Sequence, residues 1–426
     1  MSQISATPAP SPLRRGIAIA AVLSLANMLG TFFRSSNAVI APELIRELAF
    51  TPEMLGTMTS VLFITVALVQ LPYGIILDRF GPRRIIVSQL FLAIGGAVLF
   101  SVGHSLAVLT AGQALLGLGT TGIFMGAVVL VSRWFPADRL ALGMAVIMGM
   151  SNFGNLMAAT PLAFAVDLFG WRNVYLSIAV IVVAIMGLVL AVVRDAPPDH
   201  AWHSRSRESW RAAVRGLAEV LTNRSFLLLL PIPYILYSSG MAVRGLWGGP
   251  FLQDVFGLDT VARGNVLMIF AIVGMFGPML FGPMDRWFNS RRLVALGGGI
   301  VSVAALALLA TVGGYAVWST SLLFGLFALG GSFFTVVMAQ ARNLLPDRLT
   351  GRAMTALNAA GFLGSAITQA LTGALVGAFT PAGEPTPEIG YLVMFGYLAV
   401  VFAIGLAIYA RAPDTRPRDD GSHAND

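Results

Sequence analysis

The sequence predicts an all-α membrane protein of twelve transmembrane helices arranged as two pseudo-symmetric bundles of six. Three observations predict it. The chain is built of apolar runs long enough to cross a bilayer, its arginines fall on one side of the resulting topology, and its second half repeats motifs of the first.

Apolar residues make up 57% of the chain and charged residues 11%, whereas soluble domains sit near 45–50% and 25%. About 20 apolar residues at 1.5 Å each suffice to cross the hydrocarbon. On that measure the runs define spans at 16–43, 53–78, 83–103, 106–132, 140–167, 172–193, 225–253, 260–283, 291–312, 316–342, 352–379 and 389–411. The first run follows a polar, Pro-rich stretch and is too long for a signal-peptide core, so it reads as a retained helix.

All 27 basic residues are arginine. With the N-terminus placed in the cytoplasm, 22 of them fall in inner tails and loops, and only Arg46, Arg172 and Arg263 fall outside. That is the bias expected of an inner membrane protein with both termini cytoplasmic, here a bacterial one. The formal charge of +7 therefore reads as topology and not as a nucleic-acid surface. The remaining two arginines, Arg34 and Arg244, lie inside spans.

One long polar segment, residues 194–224, divides an N-terminal bundle (1–193) from a C-terminal bundle with a cytoplasmic tail (225–426). Trp202, Trp210, Leu217 and Val220 beside Arg207, Arg211 and Arg215 fit either an amphipathic helix at the headgroups or a solvated linker. Across the divide the motifs recur. Gly74, Asp78, Arg79, Gly81, Arg83 and Arg84 end span two and open span three. Gly282, Asp285, Arg286, Arg291 and Arg292 do so for spans eight and nine, 207 to 208 residues later. Pro136, Asp138 and Arg139 after span four are echoed by Pro346, Asp347 and Arg348 after span ten. A carboxylate at the end of an even span can pair with a neighbouring helix while the arginines hold inner loops, so the knot reads as a conformational latch or as plain positive-inside anchoring.

The pattern Gly74, Asp78, Arg79, Gly81, Arg83, Arg84 resembles the loop 2–3 signature of the major facilitator superfamily, and twelve spans, a central loop and a second-half echo fit the same resemblance. In the echo, Asn289-Ser290 replaces Gly-Pro and one residue is missing before Asp285. The resemblance implies a central cavity, lined by spans one, four, seven and ten, that opens alternately to each side.

An ionisable residue inside a span is costly and marks function by default. Arg34 and Arg244 share a depth, stand 210 residues apart like the repeat, and have polar or small neighbours at helical spacing. Asn27, Gly30, Thr31, Asn37, Ala38 and Ala41 flank the first; Tyr237, Gly240, Met241, Trp247 and Gly248 flank the second. No carboxylate sits at that depth, so a substrate anion held by bidentate hydrogen bonds is the predicted partner. The alternative is snorkelling, or pairing with Glu43 or Asp254 further out. Arg34-Ser-Ser-Asn37-Ala38 and Arg244-Gly245 are similar to the organophosphate antiporters and related anion symporters of the superfamily, in which the corresponding arginines hold the substrate phosphate. The Arg244 to Pro250 spacing departs from that pattern.

Gln113, Asn152, Asn155, Asn358 and Gln369 complete the predicted binding set with Arg34, Asn37, Tyr237, Arg244 and Trp247. Singly, such groups more often join helices to one another. The expected function is secondary transport of a small organic anion, with efflux of amphipathic compounds or ligand sensing as alternatives. No nucleophile and base pair, metal cluster or phosphate-cradling loop suggests an enzyme, and no metal or cofactor is expected. The expected partners are the anion, the bilayer and a coupling ion, with the chain acting as a monomer.

Overall fold

The computed structural model describes residues 12–70, 72–136, 139–197, 210–311, 316–346, 349–381 and 383–415. Eleven helices are long and apolar enough to cross a membrane: Arg15–Leu48, Pro52–Gln70, Pro82–Val102, Leu106–Trp134, Trp171–Val192, Arg224–Phe256, Thr260–Phe288, Arg291–Thr311, Val317–Leu344, Thr350–Gly377 and Glu388–Tyr409. The twelfth, span five, is a pair, Leu142–Met157 and Thr160–Phe169, bent by 43°. The order and number of spans agree with the expectation, and no strand occurs among the described residues.

The sequence explains where the helices break. Span five bends just before Pro161, whose ring excludes the preceding backbone from the α region and removes a donor. Span four turns at Gly122, with φ +74°, and the ring of Tyr73 occupies the space that a Cβ there would take. Tyr73 begins the short helix Tyr73–Phe80 that continues span two, and its hydroxyl donates to Gln89 Oε1 at 2.9 Å.

Span seven carries a π turn over Val243–Trp247, within an otherwise α-helical segment. Such turns are rare and gather at functional sites.

The two bundles meet at one end of the membrane, where glycines let backbones touch. Gly56 of span two lies against Gly373 of span eleven, Gly249 of span seven against the Ala38 carbonyl of span one, and Gly264 of span eight against Thr160 and Ala163 of span five. Thr160 Oγ1 donates to Asn265 Oδ1 at 2.9 Å across the same seam. Every one of these residues lies at the end remote from the termini, so the bundles are closed together there.

Within the central segment, Trp210–Thr222 is helical, as the amphipathic pattern suggests, with Val214 and Leu221 exposed and part of its apolar side turned to protein. Val220 is fully buried, Leu217 packs on the core, and Gly216 abuts the Arg352 guanidinium at the start of span eleven. Residues 198–209, with Trp202, Arg205 and Arg207, lie outside the described residues, as do Asp138, Asp347, Arg348 and the side chains of Trp210 and Arg211.

Candidate functional site

Span one is a 37-residue helix, and its polar stripe is largely used to join the first bundle. Thr31 Oγ1 donates to Ser151 O at 2.6 Å, Ser35 Oγ to Asn155 Oδ1 at 3.0 Å, and Ser36 Oγ is 2.8 Å from Tyr175 Oη. Asn37 Oδ1 accepts from Gln113 Nε2 at 2.8 Å, both residues being buried. Arg34 is the exception on this stripe. It is half-buried, its Nε makes no hydrogen bond, and its guanidinium lies over the ring of Phe362 on span eleven at 5.7 Å.

Arg244 is its counterpart. The π turn presents it half-buried, its Nε also without a hydrogen bond, with the guanidinium 5.7 Å from the centroid of Phe270. Arg34 and Tyr237 are its electrostatic neighbours. Among the described residues no carboxylate reaches ion-pair distance of either guanidinium. The two acids nearest in sequence are engaged elsewhere: Glu43 pairs with Arg46 and, at 3.9 Å, with Arg263, and Asp254 accepts from Tyr391 Oη at 2.6 Å. Two cations without a counter-charge in a low-dielectric setting are costly to hold.

A cavity of about 240 Å³ runs beside Arg244 between spans seven, eight and ten. Tyr237 and Arg244 line it, and Phe362 links it to Arg34 through an edge-to-face contact with Tyr237 at 5.0 Å. The structure thus brings Arg34, Tyr237 and Arg244 together.

Several other members of the expected set make contacts between helices. Trp247 is buried and donates to Thr372 Oγ1 at 2.8 Å, and Gln369 Nε2 donates to Met241 O at 3.0 Å, so both fasten span seven to span eleven. Asn37, Gln113 and Asn155 are tied within the first bundle as above. Asn152 and Asn358 are half-buried on spans five and eleven. What sequence reasoning missed is the aromatic wall of Phe270, Phe327 and Phe334, because the mid-span position of a phenylalanine does not say whether it meets lipid or a cavity.

At the termini-bearing end, a carboxylate outside the expected set meets the loop between spans two and three. The Asp78 side chain lies outside the description. Gly81 takes φ +82°, and a Cβ built there would come 3.0 Å from Asp195 Oδ2 at the end of span six. Asp195 Oδ1 accepts from the Arg83 backbone N at 2.8 Å, capping the start of span three, and the Arg83 guanidinium donates to Leu190 O at 2.6 Å.

The second half repeats this with Asp414, which accepts from the Arg292 backbone N at 3.1 Å and from Ser290 Oγ at 2.5 Å. Asp285 is buried and faces Arg291 Nε at 3.5 Å. Asn289, in the left-handed region at φ +48°, ends span eight, a conformation that asparagine tolerates. Gly74, Arg79, Arg84 and Arg286 are exposed. Asp195 and Asp414 are acids that follow spans six and twelve, outside the loop 2–3 pattern and its echo.

The model of the Major Facilitator Superfamily matches residues 23–369. A putative tartrate transporter of Agrobacterium vitis is 26% identical over 310 residues, covering 66% of this chain and 67% of that one. The probable galactarate/D-glucarate transporter GudP of Bacillus subtilis is 22% identical over 398 residues, covering 85% and 86%. The probable hexose phosphate transport protein of Chlamydia pneumoniae is 24% identical over 280 residues, covering 59% and 60%. With several of these relatives the match spans about two thirds of their length. Among solved structures, a bacterial homologue of the human lysosomal transporter Spinster, in an inward-facing and occupied conformation, superposes with a TM-score of 0.78 at 16% identity over 95% of this chain and 97% of that one. Twelve spans in two bundles, a signature loop with a partial echo in the second half and a family match over most of its length place this chain in the major facilitator superfamily of transporters.

Proposed function

We propose that this protein is a secondary active transporter that moves a small organic anion, a carboxylate or a phosphate ester, with Arg34 and Arg244 as the residues that hold it. The observation that carries the proposal is the pair of guanidiniums from opposite bundles, half-buried and without a carboxylate partner among the described residues, of which Arg244 lines a cavity and Arg34 reaches toward it over Phe362. A planar fork on each arginine suits two-point hydrogen bonding to such a group. Relatives named for tartrate, galactarate and hexose phosphate support an anionic substrate.

On this reading residues 1–193 and 225–426 rock against each other, joined by 194–224. The closed end faces outward, and both termini are in the cytoplasm of a bacterial cell. Asp78, Arg79, Arg83, Arg84, Asp285 and Arg286 then sit at the inner end, where they favour one of the two states. The test is uptake of labelled organic acids and phosphate esters by proteoliposomes, with the parent protein and with Arg34→Ala and Arg244→Ala. Flux of an anion that both substitutions abolish is the expected result. Flux of lipophilic cations instead would replace the proposal with efflux, and binding without flux would replace it with a sensor.

A further inference from the structure

The cavity beside Arg244 is walled mostly by carbon. Leu236, Phe270, Phe327 and Phe334 form its sides, with Pro233 and Pro278 along its length. Three hydroxyls reach it, from Tyr237, Ser332 and Thr335, and that of Ser332 already donates to Ala328 O at 3.0 Å. The rings hold one another edge to face, Phe270 against Phe327 at 5.7 Å and Tyr237 against Phe362 at 5.0 Å.

Such a wall discriminates sharply between two kinds of anion. A polyhydroxylated acid or a sugar phosphate brings several hydroxyls, each accustomed to water. Every hydroxyl buried against carbon without a partner lowers affinity by about tenfold. A ring does the opposite, since it packs edge to face or offset against the phenylalanines and loses nothing on leaving water. The size also fits. An apolar cavity of about 150 Å³ suffices for benzene, and about 240 Å³ leaves room for an arm carrying a carboxylate to the Arg244 guanidinium.

We infer that the substrate is a carboxylate with an apolar, ring-sized body, of the aryl- or arylalkyl-carboxylate class. The inference rests on the anion site proposed above and departs from the acids for which the tartrate and galactarate relatives are named. Arg244 and Arg34 supply the charge, and the aromatic wall supplies the selectivity.

The experiment measures binding to the purified full-length protein in detergent, by thermal shift and calorimetry. The probes are benzoate, phenylacetate, tartrate, galactarate and glucose 6-phosphate. A ligand that binds the folded state raises its melting temperature. The expected result is that benzoate or phenylacetate binds at least about tenfold more tightly than tartrate, galactarate or glucose 6-phosphate, and that Arg244→Lys weakens this binding. Leu236→Asn, which puts a polar group into the wall, should narrow the preference by about tenfold while the unliganded variant still gives a cooperative melt. Tighter binding of tartrate, galactarate or glucose 6-phosphate that still depends on Arg244 would overturn the inference and leave the anion site standing. Absence of binding by all five probes, or binding indifferent to Arg34→Ala and Arg244→Lys in folded variants, would remove the anion site and the inference with it.

Discussion

The backbone carbonyl of Arg34 lies against Gly245, the residue next to Arg244, so closely that a Cβ on Gly245 would come within 2.9 Å of it. The two arginines are therefore brought together by direct contact between the main chains of spans one and seven. Gly245→Ala should push these helices apart and favour the state open at the present closed end, at a cost of about 1–3 kcal/mol typical of overpacking. The native chain has no cysteine, so spin labels at Met54→Cys and Phe379→Cys, both exposed at that end, would report it. The label distance should lengthen in Gly245→Ala, and an unchanged distribution would contradict the role given to this contact.

Replacing Arg34 or Arg244 with Lys keeps the charge but removes the planar fork. Anion binding should weaken by about 1–3 kcal/mol, the range for charge-assisted hydrogen bonds. Alanine should be worse at either site. Calorimetry against the best ligand of the parent decides the matter, since an arginine that merely snorkels would tolerate lysine without loss.

Glu43 of the first bundle faces Arg263 of the second at 3.9 Å, and both are buried. Arg263 also donates to Gln253 and, at 3.0 Å, to Thr260 Oγ1 within its own bundle, so it keeps partners when the bundles part. Glu43→Gln should consequently loosen the closed end with little loss of fold stability. We expect a longer Met54→Cys to Phe379→Cys distance and a melting temperature close to the parent. A large fall in melting temperature with no change in distance would show that Glu43 only supports the fold.

Asp195 and Asp414 cap spans three and nine from the ends of spans six and twelve. Asp195→Ala or Asp414→Ala should each remove about 1 kcal/mol, as for loss of an N-cap, and the pair of substitutions should be nearly additive because they lie in separate bundles. Thermal unfolding in detergent measures both. If the single variants melt like the parent, the carboxylates are not structural caps.

The helices and their order were legible because a bilayer imposes run length and charge asymmetry on any sequence that crosses it. Arg34 and Arg244 were legible for a related reason, as isolated charges at hydrocarbon depth. Helix-to-helix partners were not. Gln113, Asn155, Trp247 and Gln369 look like cavity groups along one helix, and only the neighbouring helices reveal that they bond to Asn37, Ser35, Thr372 and the Met241 carbonyl. Gly56 and Gly373 lie more than three hundred residues apart, and nothing local to either predicts their contact. The carboxylate that caps the start of span three follows span six, over a hundred residues downstream, and nothing local to the loop predicts it.

The π turn at Val243–Trp247 has a mechanical consequence. A turn holding one residue beyond the α count is a point at which a helix can slip by a single hydrogen-bond step without exposing its backbone to lipid. Upstream of it, span seven lines the cavity with Tyr237 and Gly240; downstream, Gly249 is wedged against span one. The two stretches need not turn as one rod. Sliding the extra residue along the helix would swivel the Arg244 side chain relative to the wedge, letting the charged group and the closed end move in sequence.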